Sequence, residues 1–171
     1  AFAVLAIRSD FWQRHYFAVA LVVLALLVLV LISGIGRVVN GSRRWIALPG
    51  FTVQVSEFAK WGCIIFFSAS LVKRGAEVRK SFKAFCLPVG VIGVVSALLL
   101  LEPDFGAAVV VATTSMALIF IAGVPMRFFA PLVAFALLLG AYAATFEEYR
   151  VKRLTAFLDP WSEENVYGSG Y

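Results

Sequence analysis

The sequence predicts an all-α fold, a polytopic helical bundle built into a membrane. Apolar residues make up 62% of the 171 and charged residues 15%, and the mean hydropathy is strongly positive, a balance outside the range of water-soluble domains. The apolar residues also come in blocks of roughly 15 to 18, close to the roughly 20 that cross a hydrocarbon core as a helix. Only helices and closed barrels satisfy every backbone polar group in lipid. A run such as AVALVVLALLVLVLIS at 18–33 lacks the alternation of a barrel strand, which leaves the helix.

Taken in order, 1–7 reads as the tail of a helix, and 8–16 as a short loop whose Trp12 and Tyr16 suit an interface belt. The first complete span is 16–33, closed by Gly34 and Gly36. The second is about 56–72, followed by the basic loop KRGAEVRKSFK at 73–83. The third is about 85–101, where Pro88 is tolerated because first-turn amides lack helical partners anyway. Glu102-Pro103-Asp104 is a very short connector to a fourth span at 105–122, and the turn GVPMR leads to a fifth at about 128–145. A polar tail occupies 146–171. No internal repeat or soluble domain is visible, so 1–171 reads as a single membrane domain. The absent initiator Met and the open ends lead us to expect a fragment, incomplete at both ends and inactive by itself.

The net charge of +5 reads as topology, not as affinity for nucleic acid, because basic residues gather on the cytoplasmic side of membrane proteins. The loops at 8–15, 73–84 and 123–129 hold eight Lys/Arg; the opposite loops, nearly twice as long, hold six and most of the acids. The first set is therefore expected inside, and the stretch 34–60, the connector at 102–104 and the tail outside. Cys63 and Cys86 stand alone in apolar runs and the chain has one His, which fits small buried side chains and not a disulfide framework or a zinc site.

Arg37, Arg43 and Arg44 lie on the side that should be poor in basic residues. Anchoring to headgroups is the plain explanation. The functional one is a site for a phosphate-bearing ligand, since guanidinium offers paired donors in the geometry that phosphate oxygens accept. Trp45 and Leu48-Pro49-Gly50-Phe51, ordered as in a type II turn, predict a small hairpin on the membrane surface. Ser56 is placed to cap the next helix, and Glu57 suits the positive end of its dipole. Lys60 opposes that dipole, and a cation within a span costs roughly 2.5 to 3.5 kcal/mol unless paired or wetted. Three residues from Glu57, it shares a helix face and can pair there, or it can snorkel to headgroups. Asp104 can cap the following helix; alternatively Asp104 or Glu102 faces Lys60 and the arginines across a shared outer cavity. Asp159 precedes Pro160 and reads as a turn residue before a general base. No phosphate-loop glycine pattern, Ser-His-Asp set or metal-ligand spacing is present.

The succession Gly34-Ile35-Gly36, Asn40-Gly41-Ser42-Arg43-Arg44-Trp45-Ile46, Ser56-Glu57-Phe58-Ala59-Lys60, Glu102-Pro103-Asp104-Phe105-Gly106, the run from Arg153 to Trp161, and Gly168-Ser169-Gly170-Tyr171 resembles the SEDS family, its FtsW branch more closely than RodA or SpoVE. The resemblance covers the chain from Gly34 to its end. It implies a ten-helix peptidoglycan glycosyltransferase that polymerises lipid II at the outer face of the bacterial cytoplasmic membrane, at the division septum. The implied partners are a class B penicillin-binding protein transpeptidase, other division proteins and membrane lipids. This chain would cover the end of the second helix through the seventh and the start of a large outer loop. The family's catalytic Asp lies in a Pro-Glu-Ala-His-Thr-Asp stretch beyond the Gly-Ser-Gly-Tyr motif, so no catalytic residue is expected within this chain.

On that resemblance and their shared sidedness, Arg43, Arg44, Trp45, Glu57, Lys60 and Asp104 are the expected substrate-binding residues. Arg44 and Lys60 would be the phosphate or cavity contacts, Glu57 and Asp104 their orienting carboxylates, and Trp45 a wall for the lipid-linked substrate. No cofactor is implied beyond a candidate divalent cation, and no metal site is expected. Two departures stand out: Val55 occupies a position where the family usually has Pro, which loosens the helix start, and SEENVYGSGY replaces a shorter acidic-Pro link. A lipid II flippase and a division scaffold are the rival readings. A transporter predicts ionisable residues at the midplane and broken helices, whereas here the charges gather at one face.

Overall fold

The computed structural model describes residues 9–32, 36–39, 42–48 and 51–145. In order these form α1 (Ser9–Leu31), β1 (Gly36–Val39), β2 (Ser42–Leu48), β3 (Phe51–Gln54), α2 (Val55–Lys80), α3 (Phe82–Leu101), α4 (Phe105–Ile121) and α5 (Met126–Thr145). α1, α2 and α3 are long and apolar enough to cross a membrane, and Phe105–Ile121 and Met126–Tyr142 are shorter apolar helical stretches. The helical membrane class stands, with a small antiparallel sheet between α1 and α2.

The chain divides into two compact units, Ala1–Phe129 and Ala130–Tyr171. In the second, the described part is the body of α5, whose Phe135, Leu137 and Leu138 are exposed, as suits a helix made for hydrocarbon. In the first, α2 is the centre. Half of its membrane-length window is buried, against 17% for α1 and 28% for α3. It packs on α1, α3 and α4 through Val55, Ala59, Cys63, Phe66, Phe67 and Ser70, whose spacing of three and four puts them along one stripe. Gly62 lets α1 approach: a Cβ there would overlap Val23 Cγ2. An apolar groove beside this contact is lined by Phe17, Leu21, Cys63 and Leu87.

The helices run further than the apolar blocks. α1 begins at Ser9 and α2 continues to Lys80, where loops at 8–16 and 73–83 were expected. At about 1.5 Å per residue, 26 residues exceed the roughly 30 Å hydrocarbon core. The last turns of α2 therefore carry their charges on helix; Arg74 Nε pairs with Glu77 Oε2 at 3.3 Å, as neighbours three apart can. Lys73 donates to the Gln13 carbonyl and lies 4.9 Å from the Tyr16 ring centre, so the start of α1 and the end of α2 sit together. Phe82 and Phe128 at 5.5 Å, with Phe85 and Phe128 at 5.8 Å, bring the starts of α3 and α5 to each other. The three loops expected on one side thus gather at one end of the bundle.

At the other end, β1, β2 and β3 form an antiparallel sheet in that order. The expected hairpin is there: Leu48 pairs with Phe51 across Pro49-Gly50, the turn itself lying outside the described residues. A second hairpin pairs Val39 with Ser42 across Asn40-Gly41, a dipeptide suited to tight hairpins. α2 then starts at Val55, with Gln54 as its N-cap residue, so Ser56 is not the cap it was expected to be. Ser56 is buried inside the first turn, and Gln54 Nε2 donates to its hydroxyl at 2.9 Å. Val55, 2% exposed, takes the first helical position, which needs no N–H partner and would accept Pro equally well.

Candidate functional site

The site is built where β2 meets the α3–α4 connector. In β2, Trp45 pairs with Arg37 and Arg43 with Val38, so Arg44 is the extra residue of a β-bulge. A bulge bends its strand and re-aims the side chain it carries. Arg44 Nη2 donates to the Pro103 carbonyl at 2.8 Å, and Nη1 lies 3.5 Å from Asp104 Oδ1. One planar guanidinium thereby spans a backbone carbonyl and a carboxylate, which suits Arg and not Lys.

The connector is shaped to receive it. α3 ends with Asp104 N donating to Leu99 O at 2.8 Å, the six-to-one bond of a Schellman motif, which requires a left-handed residue before the donor. That residue is Pro103, at φ +30°, a value its ring resists. Proline also has no N–H for the motif's second bond, and its carbonyl is the one that Arg44 holds. Asp104 is 6% exposed and serves two ends at once. Its Oδ1 accepts from Ala107 N at 3.1 Å, capping α4, and its Oδ2 accepts from Gln54 Nε2 at 3.4 Å. Asp104 thus caps α4 and also pairs with Arg44, whereas Lys60, expected across a shared cavity from it, pairs with Glu57 instead.

Glu102 is fully buried, and neither carboxyl oxygen has a hydrogen-bond partner among the described residues. It follows the last residue of α3 and so lies outside the span. Burial pushes its carboxyl up to about 8; Asp104 adds to the rise and Arg44 opposes it.

Lys60 Nζ donates to Glu57 Oε1 at 2.6 Å, the pair that their spacing predicts. The pair is partly exposed and stands on the side of α2 that carries exposed Phe58 and Trp61, whereas Ser56 and Ala59 turn into the bundle. The expected residues thus form two groups at the same end. Arg44 and Asp104 are brought together from 60 positions apart by count, joined by Gln54; Glu57 and Lys60 lie beside them on the outer stripe of α2. Trp45 is half-buried beside the bulge. Arg43 contributes its backbone to the β1–β2 ladder, and its side chain, like the tail with Asp159, lies outside the described residues.

Gln54 was missed by sequence reasoning. Its only local signal is the alternation of Thr52 and Gln54 with Phe51 and Val53, which marks a strand and says nothing of a distant acid. The second hairpin was also missed, although Asn40-Gly41 announced it.

A family model described as cell cycle protein, FTSW_RODA_SPOVE, matches residues 1–171. The chain belongs to the FtsW/RodA/SpoVE family. Among FtsW relatives, the "Probable peptidoglycan glycosyltransferase FtsW" of Alcanivorax borkumensis is 45% identical over 171 residues, 100% of this chain and 44% of its own. The protein of the same name from Legionella pneumophila is 46% identical, over 99% of this chain and 43% of its own. The chain therefore spans less than half the length of these FtsW relatives. A solved chain described under "Structural coordination of polymerization and crosslinking by a peptidoglycan synthase complex" superposes with a TM-score of 0.72 at 29% identity, covering 94% of this chain and 47% of that one. The rod shape determining protein RodA of Thermus thermophilus gives a TM-score of 0.64 at 31% identity, covering 80% and 44%.

For a FtsW/RodA/SpoVE chain that needed a divalent cation, Glu102 and Asp104 would be the nearest carboxylates. Of the two, Asp104 is already engaged by Ala107, Gln54 and Arg44, and no group of three His, Cys, Asp or Glu converges among the described residues.

Proposed function

We propose that this chain is part of a peptidoglycan glycosyltransferase that polymerises lipid II at the outer face of the bacterial cytoplasmic membrane, at the division septum, in partnership with a class B penicillin-binding transpeptidase. The observation that carries this reading is identity of 45% over the whole of this chain to a relative named for that activity. The geometry favours it over transport, because the buried acids and Arg44 stand at the end of the bundle and not at mid-span.

In the reaction, a sugar hydroxyl of one substrate forms a bond to the anomeric carbon of another while the bond from that carbon to pyrophosphate breaks. A general base takes the hydroxyl proton, and cations stabilise charge on the departing pyrophosphate. The base lies beyond this chain on the family pattern. Arg44 and Lys60 supply cationic contacts to the phosphates, Asp104 and Glu57 hold them in place, and Trp45 walls the lipid-linked part of the substrate.

The test is polymerisation of fluorescent lipid II in detergent by the full-length protein with its transpeptidase partner. Detergent removes the two compartments that flipping requires, so glycan strands are the expected product. Lipid II bound without strands would overturn the enzyme in favour of transport or scaffolding. Lys60→Ala, with the fold intact, is expected to lower the rate, and an unchanged rate would remove Lys60 from the site.

A further inference from the structure

Glu102 is buried, with no hydrogen-bond donor to its carboxyl among the described residues, and its neighbour Asp104 takes the donors from Ala107 and Gln54. An ionised carboxylate in such a place is very costly, and a neutral carboxyl far less so. Among the described residues, the charged groups that act on it are Asp104 from the start of α4 and Arg44 from β2. From α2 and its N-cap, Ser56 and Gln54 present uncharged groups, and Glu57 and Lys60 pair on the exposed side.

The charge of this cluster therefore hinges on Glu102. With Glu102 neutral, Arg44 and Asp104 cancel, and the guanidinium, 29% exposed, can turn part of its fork to an arriving anion. With Glu102 ionised, two carboxylates share one guanidinium and the cluster repels anions. We propose that Glu102 is a positioning residue that works as a neutral carboxyl: by withholding a second negative charge it leaves Arg44 able to take a phosphate oxygen of the substrate, and its ionisation closes that contact. This rests on the glycosyltransferase reading of Arg44. The raised value of about 8 sets where the change falls, since a group with that value goes from mostly protonated at about pH 7 to about tenfold less protonated at about pH 9.

The experiment compares full-length wild type and Glu102→Gln, each with the transpeptidase partner, in lipid II polymerisation from about pH 7 to about pH 9, together with thermal unfolding in detergent from about pH 5 to about pH 9. Comparing the two proteins at each pH cancels the titration of every other group. The ratio of Glu102→Gln to wild-type kcat/KM is expected to grow about tenfold across the range, carried by KM for lipid II. A ratio that stays flat overturns the proposal. Glu102→Leu, also charge-silent, should show the same growth; if both variants fail to fold, the carboxyl is a structural necessity and the proposal falls. If wild type makes no strands, the glycosyltransferase reading fails instead. The unfolding series still decides on Glu102 itself, because a pH-independent stability difference between wild type and Glu102→Gln would show that it is not held neutral.

Discussion

At the residue scale, the site turns on one side chain doing what its charge alone would not. Arg44 is aimed by a bulge at a carbonyl and a carboxylate together. Arg44→Lys keeps the charge and loses the fork, so polymerisation is expected to drop by about tenfold or more, roughly 1.4 kcal/mol. Asp104 allows its two tasks to be separated. Asp104→Ala removes the cap and should cost about 1 kcal/mol in unfolding measurements. Asp104→Asn keeps an acceptor for Ala107 N, so its stability should stay close to wild type while activity falls; retained activity would reduce Asp104 to a cap. Glu102 gives stability a direction in pH. Its folded value of about 8 lies above the ordinary 4.5, so the fold binds a proton that the unfolded chain releases. That contribution is fully present below about pH 4.5, is lost as pH rises, and is gone above about pH 8. The thermal midpoint of wild type should therefore fall against that of Glu102→Gln across this window.

At the element scale, α2 organises both ends of the bundle, and its contact with α1 depends on a missing side chain. A methyl at Gly62 would overlap Val23 Cγ2, and a β-branched Val cannot swing aside without leaving its rotamer. Gly62→Ala should destabilise by about 1–3 kcal/mol, and Val23→Ala in the same chain should restore much of the loss. An additive double variant would show that the two helices do not meet there. The extended ends of α1 and α2 have a local explanation. Asp10 in the first turn of α1, and Arg79 and Lys80 in the last turn of α2, complement the helix dipole, so the helix continues past the point where apolar residues stop. Reading span limits from hydropathy therefore misplaced the loops while keeping the order of the spans.

At the scale of the larger unit, Ala1–Phe129, the charged groups of the described residues are sorted to two ends of an apolar bundle. The basic end carries Lys73, Arg79 and Arg127, and the other carries the sheet, Arg44 and the connector acids. Sidedness can be tested with Thr52→Cys and Lys83→Cys, both at exposed positions, after Cys63 and Cys86 are replaced. A membrane-impermeant maleimide added to intact cells should label position 52 and spare position 83. The reverse pattern would invert the orientation and remove the outer-face reading with it.

The sequence by itself determined the membrane class, the order of the spans, the sorting of charge and the Glu57–Lys60 pair. These follow from hydrophobic runs, the Lys/Arg content of the loops and helical neighbours three apart, all local quantities carried in consecutive residues. The tertiary structure decided which distant residues share a site. Arg44 meets Pro103 across 59 positions, and Gln54 meets Asp104 across 50, through a bulge and a strained turn whose geometry no run of hydropathy encodes. The burial of Glu102 was also beyond the sequence, because whether an acid in a short connector faces water or the bundle depends on which elements close over it.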